Sequence, residues 1–139
     1  MRTVITNGTI VDGRKSFIGT IIIEENYISK VVEGNLSPEL LENVKVINAK
    51  GCYVIPGAID THVHFREPGL TQKGDWRSES RAAVAGGVTS VMDMPNTIPQ
   101  TTSEELMWEK KNLAAEHSLV NYAAFIGATS DNISQLKKL

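Results

Sequence analysis

The sequence predicts an α/β protein: short strands and turns through residue 56, then strands alternating with helices in the manner of parallel βα units. Three observations carry this. The first part is cut by Asn-Gly, Glu-Asn, Lys-Gly and Pro-Gly pairs into short β-branched runs, the grammar of a small sheet or half a sandwich. From Gly57 the pattern changes to short apolar runs separated by helical windows of about 10–15 residues, the signature of βα units. With 41% hydrophobic residues and a net charge of −2, the chain has material for a core and no basic stripe, which argues against nucleic acid as the main partner.

The elements follow in order. "TVITNGTIVDG" holds Asn7-Gly8 between β-branched runs, which predicts a hairpin there. Glu25-Asn26 is placed to turn Gly19–Glu24 back onto Tyr27–Val32. "NVKVINAKGCYVIPG" adds two extended runs, so residues 1–56 read as a small sheet or half a sandwich. "AIDTHVHF" is the next strand. "GDWRSESRAAVAGG" is a helix with Asp75 near its start and Gly86-Gly87 at its end. "VTSVMDM" is a strand, and "TSEELMWEKKNLAAEH" a helix opened by a Thr102/Glu105 capping box, with Leu106, Leu113 and Ala114 at helical spacing. "LVNYAAFIGA" is a third strand, and "SDNISQLKKL" starts another helix. A single cysteine, Cys52, rules out an internal disulfide and fits a reducing compartment. Nothing reads as a signal peptide or a membrane span, so a cytoplasmic chain with no membrane partner is expected.

The polar residues are concentrated in one place. Residues two apart on a strand face the same way, so Asp60, His62 and His64 share a side of the strand ending near Phe65. Two imidazoles on one face can chelate a divalent metal, and imidazole suits zinc. Asp60 could orient a ligand from behind. A bare H-x-H is more often two ordinary, partly buried histidines. Here, however, a parallel strand, normally apolar on both faces, carries three polar residues at the end where βα folds build their sites. Arg66 follows at the strand exit. Glu67-Pro68-Gly69 fits a turn with Pro at i+1 and Gly at i+2, which would fix the direction in which Arg66 points. A guanidinium beside a metal suits a substrate carboxylate, although an isolated arginine is more often a surface residue. Asn96, after Pro95, sits at the end of the following strand, where an amide suits a polar substrate as well as ordinary turn chemistry.

"DTHVHFREPG" together with "AAVAGGVTSVMDMPNT" resembles the N-terminal part of the class I dihydroorotases of the amidohydrolase superfamily, and the likeness extends over nearly the whole chain. It implies the first three βα units of a TIM-type (β/α)8 barrel over 57–139, preceded by part of a small β-sandwich domain over 1–56. It implies that His62 and His64 bind zinc in a one- or two-metal site, and that Arg66 and Asn96 bind the substrate carboxylate. The implied reaction is the reversible cyclisation of N-carbamoyl-L-aspartate to dihydroorotate in pyrimidine synthesis. Allantoinases resemble this stretch but usually carry Asn at position 66 and Leu at position 96. Hydantoinases and dihydropyrimidinases lack the R-E-P-G sequence.

The same resemblance implies that a bridging carboxylate or carboxylated lysine, two further histidines and the general-base aspartate lie beyond Leu139, leaving no catalytic residue in this chain. His117, the remaining imidazole, is expected as a solvent-facing residue at a helix C-terminus. Asp93 matches no family ligand and receives no role. The third strand would present an open apolar edge, for which a second copy or the remainder of the same polypeptide is the expected cover. The competing class is a non-catalytic, dihydroorotase-like structural partner of another pathway enzyme, although such homologues tend to lose the metal histidines.

Overall fold

A computed structural model describes residues 2–37 and 41–137, and the chain divides into two compact units, residues 1–56 and 57–139.

The first unit is a five-stranded sheet. Its spine is β1 (Arg2–Val11), paired antiparallel with β2 (Ser16–Glu24), which pairs in turn with β3 (Tyr27–Glu33). On its other side β1 runs parallel to β4 (Lys45–Asn48) and β5 (Tyr53–Val54). Alternate residues Val4, Thr6, Gly8 and Ile10 are buried, the period of a half-buried strand. The hairpin expected at Asn7-Gly8 does not form. Asn7 takes a left-handed φ of 63° inside a continuous β1, and the register shifts between Ile5 and Gly8. The pair is a bulge, which uses the same positive-φ tolerance that a tight turn would. The chain reverses instead at Asp12–Lys15, where the Asp12 carboxylate accepts from the Arg14 and Lys15 amides. The turn at Glu25-Asn26 forms as expected, with Glu25 at φ 55°.

The second unit is a parallel sheet in the order β6 (Ala58–Val63), β7 (Val88–Asp93), β8 (Asn121–Ala124). Helices α1 (Trp76–Ala85) and α2 (Glu104–His117) make the two crossovers. The core is Phe65, Trp76, Val91, Ala114 and Val120, with Trp76 edge-on to Phe65 and to Tyr122. Asp75 caps α1 reciprocally with Ser78. The cap of α2 is Ser103, which accepts from the Leu106 amide, and not Thr102. The Thr102 hydroxyl donates to the Gln100 carbonyl and its own carbonyl is taken by Asn132, so it is already committed to the preceding loop. The third strand is shorter than its apolar run suggests, with residues 125–128 leaving the ladder. The helix expected after it is a single turn, α3 (Ile133–Leu136), and Lys138 and Leu139 lie outside the described residues. No helix among the described residues is long and apolar enough to cross a membrane.

Candidate metal and substrate site

The strand β6 delivers His62 near its end and His64 just beyond it. Their rings lie 5.2 Å apart, centre to centre, at 67°. Nδ1 of His64 is 2.7 Å from Oδ1 of Asn96. An amide oxygen only accepts, so Nδ1 is the donor in this contact and Nε2 is the nitrogen that the neutral ring leaves for a metal. Asp60 turns out differently from expectation. Its carboxylate accepts from the His62 backbone amide at 3.1 Å and orients no imidazole.

Arg66 is half-buried and its guanidinium has no hydrogen-bond or ion-pair partner among the described residues. Its backbone is left-handed, φ 71°, an uncommon state for a residue with a Cβ. The turn behind it is wider than the sequence suggests: the Leu70 amide donates to the Arg66 carbonyl at 3.0 Å, enclosing Glu67–Gly69. Gly69, at φ +81°, lies so close to Ile98 that a Cβ there would overlap the Ile98 carbonyl. The Ile98 amide donates to the Pro68 carbonyl at 3.1 Å, locking the loop after β6 to the loop after β7. That second loop is braced from within. The Thr101 amide donates to the Pro95 carbonyl, and the Thr97 hydroxyl to the Pro99 carbonyl. Glu67, beside Arg66, accepts from the Trp76 amide at 3.0 Å and so stabilises the start of α1.

Asp93, given no role by the sequence, is 1% exposed and holds the underside of this rim. One carboxylate oxygen accepts from the Phe65 amide at 2.8 Å, between His64 and Arg66. The other pairs with Lys110 Nζ at 2.7 Å, and Lys110 also donates to the Met94 carbonyl. A signal for this was present: Lys110 stands four residues before Ala114, on the stripe of α2 that faces the core.

His117 lies in the last turn of α2 as expected and is half-buried, and its Nδ1 lacks a partner among the described residues. Nor is it a third ligand: no group of three or more His, Cys, Asp or Glu among the described residues is placed to hold a metal. The donor set fits zinc in kind, two imidazoles on one strand exit, but supplies fewer than the roughly three protein ligands of a catalytic site.

A polar cluster thus stands at the exits of parallel βα strands, and the amidohydrolase family model matches residues 53–135. The chain belongs to the amidohydrolase family. It is 44% identical over 119 residues to a dihydroorotase of Methanosarcina mazei, covering 86% of this chain and 25% of that protein. A dihydroorotase of Lactobacillus acidophilus is 37% identical over 136 residues, 98% of this chain and 31% of that one. Among solved structures, the L-hydantoinase (dihydropyrimidinase) from Arthrobacter aurescens superposes with a TM-score of 0.88 at 26% identity, covering 98% of this chain and 30% of that chain. The chain thus spans about a quarter to a third of the length of the relatives it matches.

Proposed function

We propose that the chain contributes the first part of the active site of a zinc-dependent dihydroorotase, interconverting N-carbamoyl-L-aspartate and dihydroorotate. The observation that carries this is the His62/His64 pair with the His64 proton fixed on Nδ1 by Asn96, beside the unpaired Arg66. In this reading residues 57–139 are the first three βα units of a (β/α)8 barrel and residues 1–56 part of a β-sandwich. The all-parallel order β6-β7-β8 and the similarity to dihydroorotases support it.

His62 and His64 are the residues that would hold the ion. The chemistry zinc supplies in such a site is a bound water acidified towards about 7 and a polarised amide carbonyl. Arg66 supplies a forked donor that matches a carboxylate, which both substrates carry. Asn96 spends its carbonyl on His64 and keeps its NH2 for the substrate. In the hydrolytic direction water adds to the ring carbonyl, the C–N bond breaks and the nitrogen takes a proton. The base for that transfer and the remaining ligands come from outside these 139 residues, so the chain alone is proposed to be inactive.

In the enzyme that contains this chain, His62→Ala and His64→Ala should each lose bound zinc and dihydroorotate turnover. Arg66→Ala should keep the metal and lower kcat/KM at least tenfold, since a hydrogen bond to a charged group contributes roughly 1.5–3 kcal/mol. Normal zinc stoichiometry and turnover in either histidine variant would reject the assignment. The superposition on a hydantoinase favours a second reading, hydrolysis of a cyclic amide without a carboxylate. Under that reading hydantoin is turned over in preference to dihydroorotate, and Arg66→Ala has no effect on it.

A further inference from the structure

We infer that Asp93 and Lys110 are positioning residues for the segment His64–Arg66, fixing the geometry of the ligand on one side of Phe65 and of the cation on the other. The inference rests on the metal-site reading above.

The Phe65 amide is the one backbone donor between His64 and Arg66, and its acceptor is a side chain 28 residues away. Arg66 leaves the strand in a left-handed conformation that a residue with a Cβ adopts only when its neighbours impose it. Two hydrogen bonds do so here. The Phe65 amide is held by Asp93 before it, and the Arg66 carbonyl by the Leu70 amide after it. Asp93 could not hold a fixed position alone, because a carboxylate rotates about its last bond. Lys110 takes its second oxygen at 2.7 Å and is itself tied to the Met94 carbonyl at 2.8 Å, so the carboxylate is clamped from behind by α2. Both of its oxygens are engaged and the side chain is buried beneath the rim, which places Asp93 as a support.

Nor does packing require this pair. Lys110 and Asp93 are 0% and 1% exposed in their side chains, and apolar residues of similar volume often replace buried ion pairs without loss of stability. What apolar residues cannot supply is the acceptor for the Phe65 amide.

Two double variants of the complete enzyme separate these contributions. Asp93→Asn with Lys110→Met removes both charges and keeps an acceptor. Asp93→Val with Lys110→Met removes the acceptor as well. Zinc affinity by chelator competition, hydrogen exchange at the Phe65 amide and the thermal midpoint are measured on each. The Asn/Met protein should keep the amide protected and bind zinc within about threefold of wild type. The Val/Met protein should exchange Phe65 freely and bind zinc about 10–100-fold more weakly, the effect of losing a support behind a metal ligand. Wild-type zinc affinity in the folded Val/Met protein would overturn the inference. So would a loss of about tenfold or more in the Asn/Met protein, and that result decides even if the Val/Met protein does not fold. Failure of the underlying metal reading has a different signature: wild type itself retains no zinc, while the Phe65 amide still responds to loss of the acceptor.

Discussion

At the exits of β6 and β7, residues 64–70 and 93–101 are held by hydrogen bonds at almost every step, loop to loop and loop to helix. Along β6 itself the opposite holds: residues 58–62 are all exposed, Ile59 at 66%. The bonds of these two loops close among themselves, whereas the side chains of β6 stand largely in water. The difference follows from the forces involved. Directional hydrogen bonds between neighbouring loops are local and are satisfied by three βα units, whereas burial is collective. A sheet can therefore present ordered strand exits while one of its strands stays exposed.

The sharpest way to break the rim is to unpair its buried charge. Lys110→Ala leaves the Asp93 carboxylate without its cation in a site closed to water, and breaking such a pair typically costs about 3–5 kcal/mol. Denaturant unfolding should show a loss of that size. A loss below about 1 kcal/mol would mean that water reaches Asp93 and that the rim is looser than its hydrogen bonds suggest.

Much of this contrast was legible in the sequence. The change at Gly57 from short strands to βα alternation, the shared face of His62 and His64, and the cap at Asp75 all depend on period and local chemistry, which a sequence states directly. The errors arose where one local pattern serves two geometries. Asn7-Gly8 allows positive φ in a turn or in a bulge, and only strand pairing chooses between them. Thr102 and Ser103 can each cap α2, and the choice falls to Ser103 because Asn132 claims the carbonyl of Thr102 from 30 residues away. Asp93 was passed over because its partners, Phe65 and Lys110, meet it only in three dimensions. The bond from His64 to Asn96 was hidden for the same reason.

A smaller effect is expected where the rim joins α1. Asp75 accepts from the Ser78 amide at 2.6 Å, and this bond is the main cause that lowers its pKa below the ordinary 3.8. A carboxylate with a depressed folded pKa stabilises the fold fully above about pH 4. That contribution declines as the pH falls through the lowered value and is gone beneath it. Asp75→Asn keeps a capping oxygen but does not titrate. Its unfolding midpoint should therefore follow wild type near neutrality and fall less steeply than wild type below pH 4. Parallel acid limbs in the two proteins would show that the cap contributes nothing through its charge.

The smallest effect belongs to the strand, and it tests the other side of the comparison. Ile59 precedes Asp60 on β6, so strand alternation sets the two on opposite faces, and the Ile59 side chain already stands two-thirds in water. Ile59→Ser in the 139-residue chain should change stability by less than about 0.5 kcal/mol, as for most surface substitutions. In an enzyme where further βα units close over β6, the same change should cost roughly 1.5–3 kcal/mol, the value of burying one large aliphatic side chain. Denaturant midpoints of the pair in both contexts provide the comparison. A near-zero cost in both would mean that nothing covers this face of β6. The exposed strand would then be a finished surface, and the proposed eight-stranded barrel would lose its physical motive.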